Sequence, residues 1–315
     1  MSGVVQIGGQ APKREPRPPW LRIRLSTPEK YHEVRRLVEG LNLNTVCEEA
    51  RCPNIYECWG QHGTATFMIL GDICTRSCGF CSVTTGRPDP GVDADEPAHV
   101  AEAIRVMGIR HAVITSVDRD DLADGGAEHF ANVIRAIHGL GTDTAVEVLT
   151  PDFRGVANAL DVVLAERPEV FSHNVETVPR MYGKARPGSS YRRSLELLAD
   201  AAARRDRGDY AGRVKTGIMV GIGETPDEVL DTLKDIREAG VEILTVGQYM
   251  RPTARHLEVD RWVHPDEFAA YRDRALELGF SHCESGPMVR SSYHAHEHVR
   301  AVASAASVLS QKLVE

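Results

Sequence analysis

The sequence has no apolar run near the roughly 20 residues that a membrane-spanning helix requires. It also has no excess of basic residues, since 37 Lys and Arg face 45 Asp and Glu and give a formal net charge of −8. This balance disfavours a surface that coats nucleic acid. The N-terminus lacks the basic and then apolar layout of a secretory signal. We therefore expect a cytoplasmic protein that has neither a membrane nor a nucleic acid as its partner.

Cysteine is too sparse for a disulfide scaffold, because seven cysteines are spread over 315 residues and such scaffolds belong to small secreted domains. A hydrophobic fraction of 42% and a charged fraction of 26% are ordinary values for a globular chain. Metal or redox chemistry is therefore the first hypothesis for the cysteines.

Short apolar runs alternate with amphipathic stretches from about Thr64, a pattern typical of βα units around a parallel sheet. Six strands are predicted, at Thr66–Leu70, Ala112–Ser116, Ala145–Leu149, Val170–Val175, Val214–Val220 and Ile243–Gln248. Six units are two short of a closed eightfold barrel. We predict an α/β fold with a partial (β/α)6 TIM-type barrel, whose open side is covered by N-terminal and C-terminal extensions.

Three segments follow from this organisation. Residues 1–63 form the predicted N-terminal extension, residues 64–280 the barrel, and residues 281–315 the C-terminal extension. Within the barrel, the clearest helix is predicted from Pro226 to Ala239 behind a Thr225 capping box. A shorter helix is predicted from Thr27-Pro28 through Val38.

The first cysteine group is Cys74, Cys78 and Cys81, in Cys-x3-Cys-x2-Cys spacing directly after the first predicted strand. Thiolate sulfur is the usual protein ligand of a cubane iron–sulfur cluster. Three ligands leave one of four irons open to a small molecule, which favours catalysis over simple electron transfer. A structural zinc site usually recruits a fourth nearby Cys or His, and none lies within the loop. Buried free thiols are the other alternative.

The second group is Cys47, Cys52 and Cys58, in Cys-x4-Cys-x5-Cys spacing. Neither group supplies the four ligands of a closed site, so a second cluster is the favoured interpretation. The alternatives are a zinc knuckle or one four-ligand site assembled across both groups. The seventh cysteine, Cys283, is interpreted as a small buried hydrophobic residue.

The first group resembles that of the radical S-adenosylmethionine superfamily, in which an aromatic residue precedes the last cysteine, as Phe80 does here. Gly217 to Glu224 resembles the superfamily's Gly-x-Ile-x-Gly-x-x-Glu element near the adenine, with Met219 in place of the usual isoleucine. The resemblance implies a [4Fe-4S] cluster whose open iron binds S-adenosylmethionine and cleaves it to a 5′-deoxyadenosyl radical.

Polar side chains at the predicted strand ends are the further candidates for contact with that cofactor, because the carboxyl edge of a parallel barrel normally builds the active site. Ser116 ends the second predicted strand, and Asn174 and Glu176 lie at the end of the fourth. Arg186, beyond the fourth strand, suits either a carboxylate partner or a surface position.

The second group, together with Arg290-Ser291-Ser292-Tyr293, is similar to the lipoyl synthase family over almost the whole chain. The resemblance implies a second [4Fe-4S] cluster held by the three cysteines and a serine, which we assign to Ser292 ahead of Ser291. It also implies insertion of two sulfur atoms at C6 and C8 of a protein-bound N6-octanoyl-lysine. A helix cap before a predicted helix at residues 294–313 is the alternative role for the serines.

The resemblance implies partners as well. These are octanoylated lipoyl carrier domains, namely the E2 subunits of 2-oxoacid dehydrogenases and the H protein of glycine cleavage, with an electron donor such as ferredoxin or flavodoxin. Two other functions remain open: a two-cluster radical enzyme similar to biotin synthase or a methylthiotransferase, and a ferredoxin-like electron carrier. The six βα units count against the carrier, which needs no barrel.

Overall fold

The structure is a computed structural model that describes residues 17–22, 29–62, 65–293 and 295. These ranges contain ten strands: β1 Asn44–Thr45, β2 Thr66–Ile69, β3 Ile73–Cys74, β4 Thr84–Thr85, β5 His111–Ser116, β6 Ala145–Leu149, β7 Val170–Ser172, β8 Arg213–Val220, β9 Ile243–Gln248 and β10 His282–Gly286. They also contain ten α-helices: α1 Glu29–Gly40, α2 Val46–Glu49, α3 Ile55–Glu57, α4 Glu96–Met107, α5 Ala127–His138, α6 Ala159–Ala165, α7 Tyr182–Ala185, α8 Tyr191–Asp206, α9 Pro226–Glu238 and α10 Pro265–Glu277.

The main sheet has eight strands in the order β1-β2-β5-β6-β7-β8-β9-β10. β1 is antiparallel to β2, and every later pair is parallel. The longer helices follow one another between consecutive parallel strands, as a βα barrel requires. Within the described residues, β1 and β10 each pair on one side only, so the barrel is partial, as predicted.

The number of parallel strands was predicted wrongly, because the sheet has seven and not six. The additional strand, β10, has no Val, Ile or Leu in its sequence His-Cys-Glu-Ser-Gly. It is a strand because its backbone pairs with Ile243–Gly247 of β9, which the composition does not reveal. The sheet thus continues across residue 281, where we placed the start of the C-terminal extension; the three-segment division itself stays a prediction.

The helix predictions agree closely with the structure. α9 ends one residue before the predicted Ala239, and its capping box is present in both directions between Thr225 and Glu228. α1 contains the predicted helix from Glu29 to Val38 and continues to Gly40, while the predicted start at Thr27-Pro28 lies outside the described residues. The helix predicted at residues 294–313 lies outside the described residues, apart from residue 295. None of the helices in the described ranges has the length and apolar character needed to cross a bilayer.

The N-terminal region shares its core with the barrel. Val38 of α1, Leu43 and Trp59 are buried in the same apolar cluster as Phe67 of β2 and the other barrel strands. Trp59 is completely buried. This packing holds the second cysteine group beside the strand that leads to the first.

An ion pair is buried in the amino-terminal half of the barrel interior. Lys215 of β8 lies 2.7 Å from Glu147 of β6, with both side chains at most 1% exposed, and His111 Nε2 lies 3.2 Å from the other carboxylate oxygen. Burial acts to raise the pKa of Glu147, but the charges and hydrogen bonds of Lys215 and His111 together outweigh it and lower that pKa to about 2. The stabilisation is therefore present above the ordinary carboxyl pKa and is lost as the pH falls towards 2.

We expect Lys215→Met to destabilise the fold by about 3–5 kcal/mol, because it leaves a buried carboxylate without its partner. Adding Glu147→Gln should restore part of the loss. Urea unfolding followed by circular dichroism measures both. The control is Lys234→Met, whose exposed pair with Asp231 should contribute no more than about 1 kcal/mol. Equal stabilities for Lys215→Met and the control would contradict the assigned role.

Candidate functional site

A cavity of about 490 Å³ opens at the carboxyl ends of the strands. Nearly all of the site residues that we predicted from the sequence line this cavity. Its wall contains Cys47, Cys52, Cys74, Cys78, Phe80, Cys81, Ser116, Asn174, Glu176, Arg186, Met219 and Ser292. Cys58 is not part of the wall; burial raises the pKa of its thiol, and the nearby Cys47 and Cys52 raise that pKa further. Both cysteine groups therefore face one space.

The loop with the first cysteine group is tied down along its length. The backbone N–H of Asp118 donates to Cys74 Sγ at 3.3 Å. The Gly79 N–H donates to Ala185 O at 2.9 Å, and His256 Nε2 lies 2.8 Å from the Cys81 carbonyl oxygen. A Cβ at Gly79 would lie 3.1 Å from the Lys184 carbonyl, so glycine permits this close approach. Each cysteine thus has a separate anchor in the barrel.

Arg76, between Cys74 and Cys78, is the strongest of these anchors. Its side chain is 2% exposed, and its guanidinium lies 3.2 Å from Asp118, 2.8 Å from Asp120 and 2.6 Å from Asp152. Burial acts to raise the pKa of Asp152, but the hydrogen bond and charge of Arg76 hold it below its usual range. Asp152 also pairs with Arg193 at 2.8 Å. The cysteine loop is therefore joined to the segments that follow β5 and β6.

The thiols of both groups are held protonated by their surroundings. Burial raises the pKa of Cys47 and of Cys78 to about 12, and that of Cys74 to about 11. Metal ligation requires thiolates and releases these protons. Among the described residues, no three Cys, His, Asp or Glu side chains are arranged for a single metal ion, as a zinc site would need. Two groups of three soft ligands in one cavity fit iron–sulfur clusters, which spread their irons over several ångströms.

The second cysteine group is linked to the chain's C-terminal region. Asn54, buried between Cys52 and Cys58, donates its side-chain amide to the Met288 carbonyl at 2.8 Å. Thr66 Oγ1 donates to Ser292 Oγ at 2.8 Å, and Tyr293 OH donates to Glu57 at 3.0 Å. These contacts bring Ser292 to the wall of the cavity beside the second group.

Gly247 makes this docking possible. A Cβ on Gly247 would lie 2.3 Å from the Val289 carbonyl oxygen, closer than any real contact of that kind. The turn that carries Ser292 therefore packs directly on the backbone of β9. Any larger residue at this position forces the turn away from the barrel.

Several polar atoms in the cavity wall have no hydrogen-bond partner within the described residues: Ser116 Oγ, Asn174 Oδ1, Thr150 Oγ1 and Arg186 Nε. Buried polar groups are normally paired, so such atoms indicate a polar ligand. Glu176 has a φ of 69°, an unusual backbone conformation of the kind that concentrates at functional sites. Burial raises the pKa of this carboxyl, opposed by the charge of Arg186. The wall thus fits a ligand with charged and hydrogen-bonding groups, such as S-adenosylmethionine.

The sequence left two positions open for Arg186, one beside a carboxylate and one at the surface. The structure buries the residue, which is 7% exposed. Its Nη1 donates to the Asn174 carbonyl at 2.8 Å and to Tyr182 OH at 3.2 Å. Ser194, fully buried behind it, accepts from Tyr182 OH at 3.0 Å and contacts His173 Nε2 at 2.9 Å. Burial lowers the pKa of His173 to about 4, so this ring stays neutral and adds no competing charge.

The chain has extensive similarity to known proteins. Residues 68–236 match the radical SAM superfamily model, and residues 5–52 match the N-terminal domain of lipoyl synthase. The chain is 56% identical to lipoyl synthase of Rubrobacter xylanophilus over 284 residues, which cover 90% of this chain and 87% of that protein. It is 50% identical to the mitochondrial lipoyl synthase of Nematostella vectensis, with 91% and 97% covered.

The chain belongs to the lipoyl synthase family. Among solved structures, Streptococcus suis SuiB bound to S-adenosylmethionine superimposes with a TM-score of 0.54 at 13% identity, covering 82% of this chain and 62% of that one. At this identity the likeness concerns the fold alone. It agrees with the partial barrel described above.

The residues that support the site were not predicted from the sequence. Asp118, which is not among the predicted site residues, lines the cavity beside Cys74. Arg76 and Thr66 were not nominated. A charged residue inside a cysteine loop, opposite the acidic run at residues 118–121, was the available signal for Arg76. Cys283, expected to be buried, is 4% exposed and lies outside the cavity wall.

We expect Arg76→Met to destabilise the fold by about 3–5 kcal/mol, because the carboxylates of Asp118, Asp120 and Asp152 lose their shared cation. Without it, burial raises the pKa of Asp118 and of Asp152, so these two groups take up protons on acidification. The loss should therefore be larger at pH 8 than at pH 5. Urea unfolding at both pH values measures it, with the exposed Arg105→Met as control. A loss that does not depend on pH would contradict this account.

Proposed function

We propose that this chain inserts two sulfur atoms at C6 and C8 of a protein-bound octanoyl-lysine, and that its two cysteine groups have different roles in that reaction. Cys74, Cys78 and Cys81 hold the [4Fe-4S] cluster that works with S-adenosylmethionine. Cys47, Cys52, Cys58 and Ser292 hold the auxiliary [4Fe-4S] cluster. When bound, these groups supply a 5′-deoxyadenosyl radical for hydrogen abstraction and the sulfur that replaces hydrogen.

The observation that carries the proposal is the shared cavity. A radical generator and a sulfur source must both reach the same two carbon atoms, and both cysteine groups line one space of about 490 Å³. Apolar side chains also belong to its wall, namely Val46, Met68, Leu149, Ile218 and Val289. An unfunctionalised acyl chain needs such a surface. An electron carrier needs neither this space nor its apolar wall.

The chain's own residues bind and orient the cofactor. Arg186, whose Nε has no hydrogen-bond partner in the described part of the chain, supplies a cation for the carboxylate of S-adenosylmethionine. Asn174 and Ser116 offer hydrogen-bonding oxygens, and Glu176 offers an acceptor for amino or hydroxyl groups. Phe80 and Met219 belong to one apolar cluster with Tyr249, which suits the adenine side of the ligand.

The substrate arrives on another protein. The family implies a lipoyl carrier domain, and we propose the octanoylated E2 subunits of 2-oxoacid dehydrogenases and the glycine-cleavage H protein as carriers. A ferredoxin or flavodoxin would supply the electrons. A cytoplasmic location stays a prediction from the sequence.

Anaerobic reconstitution with iron and sulfide, followed by reaction with an octanoyl-lysine peptide, tests the function. Mass analysis should detect a product in which two sulfur atoms replace two hydrogen atoms. Formation of 5′-deoxyadenosine without sulfur in the peptide would favour another radical enzyme. Failure to form 5′-deoxyadenosine under reducing conditions would exclude both enzyme functions.

Ser292 can be tested as a ligand separately from activity. Ser292→Ala and Gly247→Ala should each perturb the auxiliary cluster, because one removes the ligand and the other displaces its turn. We expect up to about half of the bound iron to be lost, with Mössbauer spectra of the remaining radical cluster unchanged. Gly40→Ala is the control, since a Cβ there meets no atom within 4 Å. An unchanged auxiliary signal in both Ser292→Ala and Ser292→Cys would remove the assignment.

The proposed contact between Arg186 and S-adenosylmethionine can be tested by measuring how tightly the cofactor binds. Ser194→Ala removes a hydroxyl that supports Tyr182 and His173, and should loosen Arg186. We expect Kd for S-adenosylmethionine to rise about 5- to 10-fold, the effect of about one hydrogen bond, with a larger rise for Arg186→Met. Anaerobic calorimetry measures both, against the exposed Ser281→Ala. If Arg186→Met binds the cofactor as tightly as the unaltered protein, Arg186 does not contact it.

A further inference from the structure

The cavity wall has a charge opposite to that of the whole chain. Six arginines line it, Arg17, Arg51, Arg76, Arg186, Arg251 and Arg290, against the two carboxylates Asp118 and Glu176. The complete chain has a formal net charge of −8. The wall therefore carries an excess of positive charge within a chain whose net charge is negative.

The positive charges of the three inner arginines lie next to carboxylates or thiols. Arg76 is neutralised by three carboxylates, and Arg186 lies among Glu176, Cys78 and Asp118. Arg290 lies beside Cys52 and donates to the Val289 carbonyl. These three charges belong to the cysteine groups and the cofactor region.

The three outer arginines are not surrounded by carboxylates and thiols in this way. Arg17 and Arg51 are exposed while also lining the cavity, which places them at its mouth. No ion pair of either occurs within the described residues. Arg251 is held by the carbonyls of His256 and Ala254 and reaches only the exposed Glu258, at 3.5 Å. Its positive charge thus lies in the wall of the same cavity and is balanced, among the described residues, by this one exposed carboxylate.

Arg51 adds a further observation. Its φ of 50° is in the left-handed region, which costs free energy for a residue with a Cβ, and it immediately precedes Cys52. The second cysteine loop thus bears an exposed arginine directly beside one of its ligands. A charge on this rim faces anything that enters the cavity.

We propose that Arg17, Arg51 and Arg251 form a docking rim for acidic residues that flank the acylated lysine of the carrier protein. The inference rests on the proposed function, because the acyl-lysine must pass through this mouth while the carrier surface stays outside. Carboxylates next to the lysine then face the three arginines. Rim charges of this kind increase association rates and choose the partner, and salt weakens them.

Two octanoyl-lysine peptides of equal length test the rim, one with Asp and Glu beside the lysine and one with Asn and Gln. The holoenzyme should have a KM about fivefold lower for the acidic peptide at low salt, as about 1 kcal/mol of surface charge interaction implies. The preference should shrink as NaCl is added. Arg51→Glu and Arg17→Glu should each reduce or reverse it, whereas Arg192→Glu, far exposed on α8, should retain it.

Arg17→Glu should leave the fold intact, because Arg17 is exposed and lies outside the cysteine loops. A change in its peptide preference therefore reports on charge and not on folding. Equal KM values for the two peptides with the unaltered enzyme, or an undiminished preference in both rim variants, would overturn the rim. The proposed function is judged separately, by whether the neutral peptide gains two sulfur atoms. Sulfur insertion without a charge preference leaves that function intact and removes only the docking rim.

Discussion

The site depends on one buried cation. Arg76 stands within the first cysteine loop and joins it to carboxylates that follow two different strands. A loop with three ligands for a cluster cannot rely on a hydrophobic core, because its side chains must face a polar cavity. A guanidinium with several donors in a fixed plane replaces that core, since it holds several anions at once. The rigidity of the barrel is thereby passed to the cysteines.

Much of this arrangement could be predicted from the sequence because local patterns encode it. Valine-rich strands, the Thr225 capping box and the spacing of both cysteine groups each depend on neighbouring residues. β10 could not be found in this way, because its backbone pairing with β9 and not its side chains makes it a strand. The burial of Arg186 depends on Tyr182 and Ser194 packing around it, and no spacing rule expresses such contacts.

The electrostatics divide the cavity into layers. Arginines deep inside are matched by carboxylates or thiols, whereas at the mouth only Arg251 has a carboxylate partner within the described residues, the exposed Glu258. Neutral His173 lies behind Arg186, so the deepest layer adds no further positive charge. In the proposed function, a cationic cofactor with a carboxylate, a neutral acyl chain and a charged carrier surface would each meet a different environment in this one opening.

The hydrogen bond between Asn54 and Met288 spans 234 positions of sequence. A ribosome therefore synthesises the whole barrel between the second cysteine group and the turn that carries Ser292. During that interval Cys47, Cys52 and Cys58 have no contact with Ser292, and a chain stopped before residue 288 never gains one. On the proposed assignment, the auxiliary site therefore combines residues from both sides of the barrel in sequence, and it is complete only once Ser292 has been synthesised.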